Sequence, residues 1–255
     1  MTLGLNTMTE NLFTISEIFG PTLQGEGPHL GQTATFLRLA GCNLHCNFCD
    51  TPYTWVFSEK LAAKHRDGQI YTTTDLLRMP TSEVIGELFA HGMAHTRWLV
   101  VTGGEPMLQQ PGLAELFSAA ELQDRQLMIE TAGTKYPTGL ARFQNIVWSV
   151  SPKLASSGND ATRLQPDVLR AYAQLVNSGR GYFKFVCSTK ADLAEVDAIV
   201  ALLYVKPETV YIMPEGIAST TIDANLQYLA EEVIQRGYSL TTRLHVAIWG
   251  NKRGV

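Results

Sequence analysis

Residues 97–134 read RWLVVTGGEPMLQQPGLAELFSAAELQDRQLMIETAGT. A β-branched and aromatic run, Arg97–Thr102, breaks at Gly103-Gly104-Glu105-Pro106. The chain resumes at Pro111 with an apolar stripe of Leu113, Leu116, Phe117 and Ala120, and a second β-rich run, Gln126–Thr131, closes the stretch. Proline suits the first turn of a helix, and apolar residues three and four apart share one helical face, so the stretch reads as strand, helix, strand. Strands joined by such a crossover lie parallel in one sheet.

The pattern extends in both directions. Strand-like runs at Thr33–Leu39, Ile146–Val150, Tyr182–Cys187 and Thr209–Met213 raise the number to six. Helical stripes fall at Val84, Ile85, Leu88 and Phe89; at Val168, Leu169, Tyr172 and Leu175; at Leu193, Val196, Ile199 and Val200; and at Leu226, Leu229, Val233 and Ile234. Such alternation defines an α/β fold with a parallel sheet. Six units fall short of the eight that close a barrel, so the expected fold is an open, partial (β/α)6 barrel rather than a doubly wound sheet. No internal repeat or Pro/Gly linker divides the chain, so residues 1–255 are expected to form a single domain. Phe57–Pro80 is polar, mildly basic and weakly periodic, and reads as an insertion, either a lid or a plain loop.

Composition excludes several classes. With 255 residues, 45% apolar and 17% charged, the chain is neither disordered nor fibrous, and it is long enough to bury about 70–75% of its extended surface. Its 20 Lys and Arg against 24 Asp and Glu leave a net charge of −4, the wrong sign for a polyanion binder, so no nucleic-acid partner is expected. The longest apolar runs, such as Trp98–Val101, are far too short to cross a bilayer, and no membrane partner is expected. The N-terminal MTLGLNTMTENLFTISE lacks the basic and apolar regions of a secretory signal, which points to the cytoplasm and reduced thiols.

The polar and glycine-containing segments follow the strands. Gly41–Asp50 trails the first, Thr102–Pro106 the second, Thr131-Ala132-Gly133-Thr134 the third, Ser151-Pro152-Lys153 the fourth and Pro214-Glu215-Gly216 the sixth. Turn geometry alone explains any one of them. Ligands of parallel α/β folds bind at the carboxyl ends of the strands, so these loops are expected to converge on one site.

That edge also carries Cys42, Cys46 and Cys49 in a CxxxCxxC spacing, with Cys187 far away. Structural zinc usually draws ligands from two separated pairs, which are missing here. A 4Fe-4S cluster normally takes four thiolates, so three close cysteines leave one iron open to another ligand. A zinc site completed by His45 or Asp50, or three unconnected buried cysteines, are the alternatives. Cys187 ends a strand and reads as a small buried hydrophobe.

CxxxCxxC with Phe48 before the last cysteine resembles the cluster loop of radical S-adenosylmethionine (SAM) enzymes, and Gly103-Gly104-Glu105-Pro106 resembles the glycine-rich SAM segment of that superfamily. The resemblance implies a partial β/α barrel, a 4Fe-4S cluster on Cys42, Cys46 and Cys49, and SAM bound at its open iron as the source of an adenosyl radical. Glycines allow close backbone approach, and Glu105 offers an acceptor for the SAM amino group. FGPTLQGEG (19–27), FLRLAGCNLHCNFCDT (36–51), VTGGEP (101–106), ETAGT (130–134) and SVSPK (149–153) are similar to the 7-carboxy-7-deazaguanine synthase family.

That narrower resemblance implies conversion of 6-carboxy-5,6,7,8-tetrahydropterin to 7-carboxy-7-deazaguanine by ring contraction and loss of ammonia, in queuosine and 7-deazapurine biosynthesis. Carried over by position, Phe48, Cys49, Asp50, Gly104, Glu105, Ser151, Pro152 and Lys153 hold SAM. Leu23, Gln24, Gly25 and Glu26 grip the pterin. Arg38 pairs with its carboxylate, Thr102 and Glu130 face its ring edge, His245 reaches the carboxylate, and Thr51 binds Mg²⁺. The family further implies a homodimer and an electron donor such as flavodoxin or ferredoxin. An enzyme that activates a glycine of a partner protein, and a non-catalytic cluster- or zinc-binding module, are the rival readings.

Overall fold

The computed structural model describes residues 11–255; the first ten residues of the N-terminal stretch lie outside the described residues. Nine strands form one open sheet among the described residues. They are β1 (Leu12–Leu23), β2 (Thr33–Leu39), β3 (Leu77–Pro80), β4 (Trp98–Gly103), β5 (Gln126–Thr131), β6 (Ile146–Val150), β7 (Gly181–Cys187), β8 (Val210–Pro214) and β9 (Ser239–Leu240), in the order β3-β1-β2-β4-β5-β6-β7-β8-β9. From β2 through β9 the neighbours are parallel, whereas β1 runs antiparallel to both β2 and β3.

The six strands read from sequence are the parallel run β2 and β4–β8, each within a residue of its expected bounds. The three others have weaker signals. β1 carries Glu17 and is interrupted by Gly20-Pro21, where its register with β2 shifts between Phe19 and Thr22; proline cannot donate to a ladder and marks such irregularities. β3 is four residues long with its first two exposed, and β9 has only two residues.

Helices α1 (Glu59–Ala62), α2 (Thr81–Ala90), α3 (Gln110–Leu116), α4 (Pro166–Asn177), α5 (Lys190–Leu203), α6 (Ser219–Gln235) and α7 (Leu244–Trp249) complete the chain. The apolar faces of α2–α6 pack on one face of the sheet. Leu37, Leu39, Leu99, Val101, Leu127, Ile129, Trp148, Val150, Phe183 and Phe185 meet Val84, Leu88, Leu113, Leu116, Tyr172, Leu193, Val196, Leu229 and Val233 there. Four stripe residues do not join: Ile234 is 74% and Phe89 36% exposed, Ala120 is exposed, and Leu226 is half-buried outside the core. The crossover from β5 to β6 carries no α-helix.

Side chains alternate across a strand, so the intervening residues point away from the helices. Phe19, Ala34, Phe36, Trp98, Val100 and Met128 form a second, smaller cluster, with Phe19 and Phe36 stacked at 4.9 Å. Two residues further along the same strands the face turns polar: Phe36 is followed by Arg38, Val100 by Thr102, Met128 by Glu130, Val147 by Ser149 and Tyr182 by Lys184. Arg38 and Thr102 are direct register partners, as are Glu130 and Ser149.

The end of β4 is tied to the end of β2 by its backbone. Gly104 N–H donates to Leu39 O (3.0 Å), and Glu105 N–H donates to Gly41 O (2.8 Å). A Cβ on Gly104 would stand 2.1 Å from Gly41 O, an impossible approach. Gly104→Ala is therefore expected to lower Tm by several degrees and to reduce cluster loading. Gly86→Ala, in α2 with nothing within 4 Å of the added carbon, should instead stabilise by up to about 1 kcal/mol. Thermal melts of the two variants check this pair.

Candidate functional site

The strand-end loops meet around one cavity of about 550 Å³, a volume typical of small-molecule sites. Cys42, Cys46, Phe48, Cys49, Asp50 and Thr51 line it from the loop after β2; Thr102, Gly103 and Gly104 from β4; Glu130, Thr131 and Ala132 from β5; Ser151 and Lys153 from beyond β6; and Pro214, Glu215 and Gly216 from beyond β8. Leu23 enters from the end of β1, Gln24, Gly25 and Glu26 from the loop after it, Arg38 from β2, and His245 from α7.

The cysteine loop is held by neighbouring segments. Gly41 N–H donates to Thr54 O (2.8 Å) and Asn47 N–H to Ser157 O (2.9 Å), while Leu44 packs with Cys46 and Ala132. Each thiol has an N–H donor: Leu44 N at 3.4 Å from Cys42 Sγ, Asn159 Nδ2 at 3.2 Å from Cys46 Sγ, and Trp55 Nε1 at 3.4 Å from Cys49 Sγ. Donors facing sulfur suit thiolate ligands. Burial pushes the metal-free Cys42 thiol up to about 12 and raises Cys49, a cost that iron coordination removes by deprotonating the ligand. Among the described residues no three His, Cys, Asp or Glu side chains stand close enough to share one metal ion. A four-iron cluster takes each thiolate on a different iron, and three cysteines in one loop supply that donor set.

Beside the loop lies a polar wall. Glu130 Oε1 accepts from Gln24 Nε2 (3.2 Å), and Glu130 Oε2 accepts from Thr102 Oγ1 (2.8 Å). Arg38 Nε donates to Glu17 Oε1 (2.6 Å); Tyr53 Oη donates to the same oxygen (3.0 Å), and Arg253 Nε to Glu17 Oε2 (2.7 Å). Nε is the one atom of the Arg38 guanidinium in a hydrogen bond among the described residues, so its Nη groups keep their donors.

Opposite stands a buried charge network. Glu26 accepts from Lys184 Nζ and from Arg243 Nε (3.3 Å); Arg243 also pairs with Asp50 and donates through Nη1 to Gly216 O (2.6 Å). Burial alone would raise the Glu26 carboxyl, but Lys184, Arg243 and His245 overcome it and hold the group well below the usual carboxylate range. Burial would lower Lys184 and Arg243, but Glu26 and Glu130 keep the first charged and Asp50 and Glu26 the second. Burial outweighs the neighbouring Glu26 carboxylate and, with Arg243 adding to it, pushes His245 below its ordinary value, which keeps the imidazole neutral near pH 7. Gly25 lets His245 approach closely, because a Cβ there would lie 2.1 Å from His245 Nδ1 and displace the ring, and Leu244 N–H donates to Gly25 O (2.9 Å).

Two residues assigned to SAM stand elsewhere. Glu105 is fully buried outside the cavity; its carboxylate accepts from Thr131 Oγ1 (2.7 Å), Ala132 N (2.8 Å) and Met107 N (3.1 Å). Its side chain therefore joins the ends of β4 and β5 instead of offering an acceptor to an amine. Gly103 and Gly104 admit the backbone of Leu39 and Gly41 rather than only that of a ligand. Pro152 does not line the cavity. Lys184, Arg243 and Glu17 were not read from sequence, although Lys184 is the lone charge within Tyr182–Cys187 and Arg243 lies two residues from His245.

The radical SAM superfamily model matches residues 37–196, and the chain belongs to that superfamily. A 7-carboxy-7-deazaguanine synthase of Rhodopirellula baltica is 34% identical, with 96% of this chain and 90% of the relative aligned. Another, of Pyrobaculum aerophilum, is 33% identical over 94% and 96%. The crystal structure of QueE from Escherichia coli superposes with a TM-score of 0.68 at 26% identity, covering 92% of this chain and 95% of that one. Within the superfamily the chain belongs to the 7-carboxy-7-deazaguanine synthase family. Membership brings a 4Fe-4S cluster and SAM as cofactors and leaves the glycine-activating alternative unfavoured. Among the described residues no helix is long and apolar enough to cross a membrane.

The depressed Glu26 carboxyl stabilises the fold above its ordinary value of 4.5, and that contribution is lost as pH falls below 4.5 toward the folded-state value. Glu26→Gln should cost about 3–5 kcal/mol at pH 7, because it strips Lys184 of its partner. Urea titrations at stepped pH should show the gap between wild type and variant shrinking below pH 4.5.

Proposed function

We propose that this chain is a radical SAM enzyme that converts 6-carboxy-5,6,7,8-tetrahydropterin to 7-carboxy-7-deazaguanine and ammonia, serving queuosine and other 7-deazapurines. One observation carries the reading: the CxxxCxxC loop and the polar ends of β2, β4 and β5 share a single cavity. When bound, the cluster and SAM would supply adenosyl-radical chemistry for hydrogen abstraction from the pterin, chemistry that belongs to the cofactor. The protein's part is to bind, orient and exclude water.

Cys42, Cys46 and Cys49 hold the cluster. The backbone of Phe48, Cys49 and Asp50, with Gly104, Ser151 and Lys153, holds SAM; Lys153 Nζ already donates to Ser151 Oγ (3.0 Å). Arg38 presents its Nη donors to the substrate carboxylate, a task that suits a planar fork. Gln24 and Thr102 take one lone pair on each oxygen of Glu130, which leaves acceptor capacity for the N–H groups of the aminopyrimidinone. Neutral His245 contributes a hydrogen bond without adding charge. Leu23, Gly25 and Glu26 complete the grip. Mg²⁺ takes few protein ligands and keeps water and substrate oxygens, so the Thr51 hydroxyl with the substrate carboxylate makes a workable site.

Residues 57–76 of the expected 57–80 segment serve as an insertion within this single core domain, packed on the cluster loop: His65 Nε2 lies 2.8 Å from Cys49 O, and Arg66 N–H donates to Asn47 O (3.0 Å), whereas Leu77–Pro80 are no loop but edge strand β3, paired with β1. We assign the enzyme to the cytoplasm, as a homodimer reduced by flavodoxin or ferredoxin.

Anaerobic reconstitution with iron, sulfide, SAM, a reductant, Mg²⁺ and the carboxytetrahydropterin should yield 5′-deoxyadenosine and 7-carboxy-7-deazaguanine by mass spectrometry. Cys49→Ala should abolish both products. Arg38→Ala should keep the cluster and raise KM for the pterin at least tenfold. Deoxyadenosine without the deazaguanine would refute the substrate.

A further inference from the structure

We propose that Trp55 and Asn159 are positioning residues that set the reduction potential of the iron-sulfur cluster by donating hydrogen bonds to two of its thiolate ligands. The inference rests on the reading that Cys42, Cys46 and Cys49 hold that cluster. Neither donor belongs to the CxxxCxxC motif. Trp55 sits on the short turn after it, and Asn159 lies beyond β6.

Both donors are anchored by further contacts. Trp55 is 4% exposed, packs with Val56 and Ala62, and meets the His45 and His65 rings edge-on at 5.1 and 6.2 Å. Its Nε1 is aimed at Cys49 Sγ at 3.4 Å. Asn159 Oδ1 accepts from His45 N (2.7 Å), which fixes the amide and turns Nδ2 toward Cys46 Sγ at 3.2 Å and Ser157 Oγ at 3.0 Å. The third thiol, Cys42, has only a backbone donor, Leu44 N. Side chains therefore act on two of the three sulfurs.

Reduction adds one electron, drawn from an external one-electron reductant, and part of the new negative charge resides on the ligand sulfurs. An N–H dipole aimed at sulfur favours the more negative state, so these bonds raise the potential and ease the electron's entry. Removing either donor leaves the three thiolates in place but makes the reduced cluster harder to reach.

The test is an anaerobic redox titration of the reconstituted full chain with dithionite, without SAM or pterin, following the electron paramagnetic resonance signal of the reduced cluster. Wild type, Trp55→Phe, Asn159→Ala and the double variant are compared at equal iron and sulfide content. Each single variant should shift the midpoint to more negative potential, lowering the reduced-to-oxidised ratio at the wild-type midpoint by roughly three- to tenfold. The double variant should lower it by about the product. Unchanged midpoints with intact clusters would overturn the proposal while leaving the cluster reading standing. Failure of wild type to load a four-iron cluster would overturn that reading and the proposal with it. If one variant does not load, the other decides; loss of the cluster from both would make the two residues cluster-retaining rather than potential-setting, which also overturns the proposal.

Discussion

The pleat of a parallel strand allows each side chain only two directions, and the whole site depends on that restriction. In β2, β4, β5, β6 and β7 one set of alternate residues is sealed under helices, which leaves the other set to fill the interior. Apolar residues occupy the first interior positions, and Arg38, Thr102, Glu130, Ser149 and Lys184 follow two places later. An aromatic and aliphatic floor therefore lies directly beneath a polar wall. The floor excludes water from below and lowers the local dielectric, so each charge on the wall acts more strongly on its neighbours and on a ligand.

Charge on that wall is supported rather than tolerated. Glu26, Lys184, Arg243 and Asp50 form a chain of alternating sign, with Gly216 O accepting one more Arg243 proton. A buried ion left alone costs several kcal/mol, which the paired arrangement offsets. The network also fixes three loops against one another: Asp50 belongs to the cluster loop, Glu26 to the loop after β1, and Arg243 to the segment leading into α7. At the far side Glu17 gathers Arg38, Tyr53 and Arg253, and the Arg253 guanidinium lies 4.0 Å over the Tyr53 ring.

Much of this was legible in the amino-acid order. Parallel buried strands show as compact β-rich runs, and the six central ones were found within a residue of their bounds. The cysteine spacing and the placement of Gly, Ser and Thr after each strand located the site's edge. What escaped detection was whatever lacks a local signature. β1 reads poorly because Glu17 and Gly20-Pro21 break its alternation. Lys184 was hidden inside an apolar run, although a single charge there, on the interior parity of the strand, marks a residue that needs a buried partner. Glu105 was misplaced for the complementary reason: its side chain leaves the interior, where Thr131 and two backbone amides hold it. Sequence adjacency to the glycines suggested a ligand contact, whereas the carboxylate here is spent on Thr131, Ala132 and Met107.

The site is also a long-distance closure of the chain. Gly27 N–H donates to Thr241 Oγ1 (2.8 Å), Leu244 N–H to Gly25 O (2.9 Å), and Arg253 reaches Glu17, so residues more than two hundred positions apart meet on both sides of the cavity. Contacts of such separation form late, because the entropy of closing the loop is lost before any of them is gained. During synthesis the cysteine loop emerges long before its partners Arg243 and His245, which stand some two hundred positions later. The nascent thiols thus wait beside an unfinished cavity, and a finished pocket that could shield a cluster from oxidants exists only after residues 241–253 have docked on residues 17–27.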